Sequence, residues 1–396
     1  MERNKKIIRA INELKASKQE VSMISVKSKI KANSSQVLSY LATLCDYAIG
    51  TDGQKCYEQL MKLSRKRKIQ SLINETSNKI SEGEDIDILS QQLIKEINDL
   101  EKAEEKEKTF IEQVAETNRV IEDNYTNKKD YSLYTDMMDL DGLTCGLHKE
   151  ELTIVGARPG MGKTTFALQI AENIASKGVE VAIISLEMSE TQIIQKIIAR
   201  RTRINSYKMR MGTLEAGDFD KIGQASIEIA ELPIHLITNA RTIQHIENIA
   251  RRMKNKNNLG LLIIDYIQLI KNKGKFNSRE QEVADITRTL KLLSLELKIP
   301  IIGLCQLNRN ASNKEPSLAD LRESGAIEQD ADNVIFIYQE NESTDNMVDV
   351  TIKLAKQRAG GVGKINMKFN KANSEFRNTI RMWNYVRDKW KAIVKF

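Results

Sequence analysis

The stretch that most limits what this chain can become is "ELTIVGARPGMGKTTFALQIAENIASKG", residues 151 to 178. An apolar, β-branched run leads into a loop of small residues, and the helix that follows opens with Lys163, Thr164 and Thr165. Such a loop turns backbone N–H groups toward an anion, and the helix N-terminus adds its positive end. The lysine reaches terminal phosphates, and the hydroxyl after it serves a Mg²⁺ ion. The pattern predicts a nucleotide phosphate site built from Gly156, Gly160, Gly162, Lys163, Thr164 and Thr165. A strict GxxxxGK[ST] motif has glycine where this chain has Ala157, with Gly156 one place earlier. Alanine is tolerated there only if its φ stays negative.

A strand feeding a phosphate loop implies a sheet around it. From about residue 131, short apolar runs ("ELTIVG", "VEVAIISLE", "LGLLIIDYI", "KIPIIGLC", "NVIFIY") alternate with helical stretches. That alternation predicts an α/β domain with a buried, largely parallel sheet. Ligands gather at the carboxyl ends of such strands. "LGLLIIDYIQL" ends in Asp265, a carboxylate placed to hold Mg²⁺ through water. "VEVAIISLEMS" delivers Glu187, which can orient and deprotonate an attacking water. "PIIGLCQLNR" puts Gln306 at the matching edge, where an amide could sense a γ-phosphate. Further on, "IKLAKQRAGGVGKINMKF" sets Lys356 and Arg358 between a strand-like run and a glycine-rich turn. With no acid nearby, that pair by itself reads as a solvated strand end.

Residues 1 to about 128 contain no proline and read as charged helices. "CYEQLMKLSRKRKIQSLINETSNKI" and "DIDILSQQLIKEINDLEK" carry apolar residues at helical spacing. The break "SEGED" between them, with Asp85 as N-cap, predicts two antiparallel helices. The cluster "RKRK" at 65 to 68 fits a solvated helix face better than a DNA contact. The expected organisation is a helical N-terminal domain (1–106), a linker helix (107–130), an α/β domain (131–380) and a basic aromatic tail (381–396). In that tail Arg381, Arg387, Lys389, Lys391 and Lys395 face one acid, Asp388, with Trp383, Tyr385, Trp390 and Phe396 interleaved. Stacking on single-stranded DNA, docking a loader and packing as a plain amphipathic helix all stay open for it.

Composition excludes several classes. The opening "MERNKKIIRA" is too charged for a secretory signal, and no apolar run reaches roughly eighteen residues. A cytoplasmic protein without a membrane partner is expected. The cysteines (Cys45, Cys56, Cys145, Cys305) lack CxxC spacing, and His148, His235 and His245 form no metal pattern. Neither a disulfide framework nor a zinc site is indicated. The net charge of +7 permits a polyanionic partner without identifying one.

Six segments, "GARPGMGKTTFA", "SLEMS", "LLIIDYIQLI", "SREQEVADITRTLKLLSLELKIPIIGLCQLNR", "LRESGAIEQDADNVIFIY" and "AKQRAGGVG", stand in one order and spacing. Together they make the chain from about 131 to 372 resemble the replicative DnaB-type hexameric helicases, a branch of the RecA-like ATPases. Ala157 is itself a habit of that family. The resemblance implies a RecA-like P-loop ATPase domain behind a small all-α domain, with ATP and Mg²⁺ as cofactors. It implies Glu187 as catalytic base, Thr164 and Asp265 on the metal, and Gln306 as sensor. Lys356 and Arg358 match the family's trans-acting pair, which serves the nucleotide of the neighbouring subunit. A head-to-tail homo-hexamer around single-stranded DNA, moving 5′→3′, is implied as well, with a primase and a loader as partners. Arg322, Glu323 and Gly325 are then the DNA contacts, with Lys271, Lys273 and Lys275 of "KNKGKFNSRE" as further candidates.

The N-terminal part looks like the family's collar domain without its opening stretch. A shortened form, phage-encoded or from a mobile element, is the expectation. Two alternatives remain: a recombination ATPase of the same fold, and a non-enzymatic subunit that modulates a host ring. "LRESGAIEQDAD" and "AKQR" favour the helicase branch over the first. The set Lys163, Glu187, Asp265, Gln306 and Arg358 speaks against the second, which needs none of them.

Overall fold

The computed structural model describes residues 2–17, 23–30, 53–84, 109–126, 132–274, 276–307, 315–321, 325–340 and 345–378, with a few single positions between them. Asp85, Lys275, Arg322, Glu323 and the tail 381–396 lie outside the described residues. The chain forms two compact units, Met1–Arg119 and Val120–Phe396.

The first unit contains the helices Glu2–Ala16, Met23–Ile30 and Gly53–Ser81. Ile7, Ala10 and Leu14 recur at helical spacing, and with Val26 they form a small apolar cluster. The helix Gly53–Ser81 stops where Gly83 takes a φ of +86°. The amides of Gly83 and Glu84 then turn back to the carbonyls of Ile80 (3.1 Å) and Lys79 (3.2 Å). On its surface Lys66, Arg67 and Lys68 are exposed. The boundary between the units falls within the helix Phe110–Thr126, whose N-terminus is closed by a reciprocal bond set between Thr109 and Glu112.

The second unit is built on eleven strands among the described residues: β1 (Ser132–Leu133), β2 (Leu147–His148), β3 (Leu152–Ala157), β4 (Val181–Ser185), β5 (Ile234–Ile237), β6 (Leu261–Asp265), β7 (Ile301–Gln306), β8 (Asn333–Tyr338), β9 (Met347–Gln357), β10 (Gly363–Asn370) and β11 (Glu375–Asn378). Nine form one sheet in the order β11-β10-β9-β8-β3-β7-β6-β4-β5. From β8 to β5 the pairing is parallel, and β9, β10 and β11 add on antiparallel. β3 is central and buried at all six residues, which is why it reads as an unbroken apolar run.

Alternation along β3 splits the core. Val155 faces Phe166, Ile170 and Ile174 of the helix Lys163–Ala175. Ile154 faces the other layer, with Ile246 of the helix Ile243–Asn257 and Val283, Ile286 and Leu290 of the helix Arg279–Leu297. Phe166 and Phe336 have no exposed surface. Truncating either to alanine would cost about 3–5 kcal/mol. The five runs read from the sequence are β3, β4, β6, β7 and β8. Strands β5, β10 and β11 were not among them.

Candidate functional site

The parallel register brings strand ends level. Ala157 of β3 sits opposite Gln306 of β7, and Ser185 of β4 sits opposite Asp265 of β6. Above this rim lies a cleft of about 380 Å³, lined among others by Gly160, Lys163, Thr164, Glu187, Lys196 and Gln306. Thr165 also lines it from the first turn of the helix. Ala157 does not have a positive φ, so the condition for alanine at that place is met. Gly162 does, at +81°, as the residue that caps the helix. A Cβ on it would come within 2.7 Å of the Phe369 ring. Gly156 is a residue of β3 and does not line the cleft. Its missing side chain makes room for Phe336, 3.0 Å from where a Cβ would stand.

Beneath the cleft, Thr164 Oγ1 donates to Asp265 Oδ2 at 2.6 Å. Lys163 Nζ stands 3.5 Å from Asp265 Oδ1 and 4.5 Å from the centroid of the Tyr266 ring, a cation–π contact. Asp265 is 2% exposed, yet its Oδ1 accepts no hydrogen bond. A buried carboxylate oxygen that accepts no hydrogen bond, with only the Lys163 ammonium 3.5 Å away and a hydroxyl beside it, fits a hard divalent cation that takes its other ligands from phosphate and water. On these donors, Mg²⁺ fits.

Glu187 is exposed on the turn after β4. That turn is tied by Ser185 Oγ, which donates to the Met188 carbonyl (2.9 Å) and accepts its N–H (3.1 Å). Ser189 and Gln192 then form a capping box that starts the next helix, Glu190–Thr202. Local chemistry thus holds Glu187 at the cleft mouth.

Sequence reasoning missed Lys196. It lies on the helix Glu190–Thr202 beside the buried Ile193 and Ile197, and its half-buried side chain reaches the cleft. Burial pushes its pKa below the usual 10.5, opposed by the Asp265 carboxylate. A lysine next to an inward apolar stripe was the available signal. Arg158 and Lys371 line the cleft too. Cations therefore dominate its wall, as a polyanionic ligand requires.

Lys356 and Arg358 do not line this cleft. They hold the C-terminal end of the short helix Gly325–Asp330 instead. Lys356 Nζ donates to the carbonyls of Ala331 (2.7 Å), Gln329 (3.5 Å) and Glu328. Arg358 Nη2 donates to the Gln329 carbonyl (2.7 Å), and its Nη1 lies 3.3 Å from Asp332 Oδ1. Cations at a helix C-terminus complete its unpaired carbonyls and oppose its dipole. Burial, then the neighbouring Arg358, pushes the Lys356 pKa down. The acid missing from the local sequence is thus supplied by the fold. Half of the Arg358 side chain stays exposed, at 50%. Gly325 opens the same helix. Lys271 and Lys273 are exposed on the segment after β6.

Residues 132–378 match the profile of the DnaB-like helicase C terminal domain. The chain is 40% identical over 259 residues to the replicative DNA helicase DnaB of Geobacillus stearothermophilus, covering 63% of this chain and 57% of that protein. It is 38% identical over 274 residues to the replicative DNA helicase DnaC of Bacillus subtilis (strain 168), covering 67% and 60%. The match thus spans somewhat under two thirds of the length of these curated relatives. Among solved structures, an isolated ATPase domain superposes with a TM-score of 0.63 at 30% identity, covering 69% of this chain and 100% of that one. A DnaB-like replicative helicase whose structure was described with its interactions with primase gives 0.63 at 27% identity, covering 94% and 91%.

Proposed function

The chain belongs to the DnaB-like helicases, and on that footing we propose that it is an ATP-driven replicative DNA helicase. The observation that carries the proposal is the meeting of Lys163, Thr164, Glu187, Asp265 and Gln306 at one rim of a parallel sheet. They arrive from the ends of four different strands, which is how this architecture builds a phosphoryl-transfer site.

In this reading the loop amides from Gly160 to Gly162 and the helix N-terminus hold the phosphates of ATP, and Lys163 bonds the terminal ones. Thr164 and Asp265 would hold Mg²⁺, whose chemistry is to neutralise charge on the β- and γ-phosphate oxygens. Glu187 orients a water in line with the γ-phosphorus and takes its proton. Gln306 touches the γ-phosphate and registers its loss. Lys196 supplies a further cation from its own subunit.

The chain works as a head-to-tail ring of six, in which Lys356 and Arg358 address the nucleotide of the next subunit. Such a cation in trans is worth about 10³–10⁵ in rate. Single-stranded DNA passes through the ring, held at its phosphates by Arg322, by the backbone N–H of Gly325 and by the basic segment after β6, without base readout, with Glu323 on the same DNA-facing loop. Movement is 5′→3′, in the cytoplasm, with a primase and a loader as partners. The domain division 1–106, 107–130, 131–380 and 381–396 belongs to the same proposal.

The test is a forked duplex. Purified protein should hydrolyse ATP faster with single-stranded DNA and separate a fork bearing a 5′ tail. Hydrolysis indifferent to DNA, with no strand separation even when a loader is supplied, would sink the helicase reading. Separation of forks with only a 3′ tail would overturn the polarity alone.

A further inference from the structure

Gln306 ends β7 at a place where the sheet has lost a strand. Pairing of β6 with β7 stops at Ile264 opposite Gly303. After Asp265 the chain leaves the sheet in the short helical turn Ile267–Leu269. Gly303 makes that departure feasible: Ile267 is buried against it, and a Cβ there would lie 2.4 Å from Ile267 Cδ1. Left alone, the Gln306 N–H would face this gap unpaired, at a cost of about 1–3 kcal/mol, and its C=O would keep only a long contact from the Cys305 thiol, at 3.8 Å.

Gln268 fills the gap. Its Oε1 accepts the Gln306 N–H at 3.3 Å, and its Nε2 donates to the Gln306 carbonyl at 3.2 Å. One carboxamide stands where the next strand residue would have been. On the opposite side β7 is held by β3, with Leu307 N donating to the Ala157 carbonyl at 3.1 Å. The residue whose side chain enters the cleft is therefore clamped between the start of the phosphate loop and Gln268.

Gln268 is in turn held from behind. Arg279, the first residue of its helix, donates from Nη2 to the carbonyls of Gln268 (2.7 Å) and Ile270 (2.9 Å). It also pairs with Glu282, whose carboxylate accepts the Asn272 N–H at 2.8 Å. These bonds bracket the basic segment 271–278. Gln268 itself does not line the cleft.

We propose that Gln268 is the positioning residue for Gln306, held in place from behind by Arg279. The inference rests on the reading of Gln306 as the group that meets the γ-phosphate. Its physical content is placement: a shift of roughly 1 Å in such a group can cost about 10²-fold in rate.

The experiment compares Gln268→Ala, Gln268→Glu, Gln306→Ala and the double variant Gln268→Ala/Gln306→Ala in the full chain. Gln268→Ala is expected to lower kcat for ATP hydrolysis ~10- to 100-fold. KM for ATP and affinity for ADP should change less than about twofold, since the loop and Lys163 are untouched. The double variant should be no slower than Gln306→Ala, because residues acting through one another are non-additive. Gln268→Glu keeps the acceptor but sets a carboxylate oxygen against the Gln306 carbonyl. Its rate should be low at neutral pH and recover relative to the parent as pH falls toward about 5, when the introduced carboxyl can donate again. Should Gln268→Ala fail to fold, that pH profile decides the matter. Unchanged kcat in Gln268→Ala, additive losses in the double variant, or a Gln268→Glu profile parallel to the parent overturns the positioning role. Full kcat in Gln306→Ala overturns the sensor reading first, and the positioning role with it.

Discussion

The hydroxyl of Thr164 and the carboxylate of Asp265 meet at 2.6 Å across one hundred residues of sequence, and Lys163 faces the other carboxylate oxygen. Removing the charge while keeping the shape isolates its role. Asp265→Asn should lower Mg²⁺-dependent phosphate release by about 10²-fold or more, in the range of other lost transition-state stabilisers. Binding of a fluorescent ADP without Mg²⁺ should persist, because the loop amides remain. Magnesium titrations of both proteins measure the difference, and equal metal requirements would remove Asp265 from the metal's coordination.

The two glycines of the loop separate backbone strain from crowding. Gly160 and Gly162 share a φ of +81°, but only Gly162 has a neighbour, the Phe369 ring. Gly160→Ala should cost about 1–2 kcal/mol, the strain of a left-handed alanine. Gly162→Ala adds overpacking of about 1–3 kcal/mol. Urea unfolding should therefore rank the parent above Gly160→Ala and Gly160→Ala above Gly162→Ala, and an equal loss at both sites would contradict the Phe369 contact.

Lys196 makes a prediction about protons. Burial holds its pKa below 10.5, so the folded protein binds this proton less readily than the unfolded chain does. Its contribution to stability is thus most favourable above the unfolded pKa and is lost as pH falls through the depressed value. A bound triphosphate reverses the sign by favouring the charged form. At pH values between the depressed and the ordinary lysine pKa, nucleotide binding should draw up a proton. Calorimetry in two buffers of different ionisation enthalpy will read it, and Lys196→Met should abolish the difference.

Subunit mixing tests Arg358. If the chain forms the proposed ring, mixing Lys163→Ala and Arg358→Ala chains gives some interfaces with two mutated halves and others with two intact halves. Hydrolysis should recover partly relative to either variant alone if Arg358 serves the neighbour's nucleotide. No recovery would confine Arg358 to its own chain, as a partner of Asp332 and of the Gln329 carbonyl.

Strand ends were the legible part of the site. Buried parallel strands announce themselves as apolar runs, and a polar residue that terminates one lands on the rim, as Asp265 and Gln306 do. Residues that reach the rim from elsewhere leave no such mark. Lys196 comes from a helix and Phe369 from an antiparallel strand, so neither ends a parallel strand. The pairing of Val334 with Lys356 across β8 and β9 explains the other gap. It carries Arg358 to Asp332, so a pair without an acid in its sequence neighbourhood acquires one in space. β10 escaped notice because "GKINMKFN" mixes lysines and asparagines with its apolar positions, as an edge-proximal strand with one solvated face does. Gly156, beside the phosphate loop, has a packing role that the sequence does not show, since its missing side chain makes room for Phe336.

The hairpin of β10 and β11 has one more consequence. Phe369 stacks on Phe376 at 4.5 Å, and Phe376 meets Phe166 edge-on at 5.3 Å. The Gln169 carboxamide takes both backbone groups of Phe376, at 2.9 and 2.8 Å. The helix that carries Lys163 and Thr164 is thereby buttressed by chain two hundred residues downstream. A protease cut or premature stop near residue 360 would leave the whole glycine loop, Lys163 and Thr164 in the polypeptide while stripping away their support. On the proposed function, nucleotide affinity would therefore also be a readout of whether the C-terminal hairpin has docked.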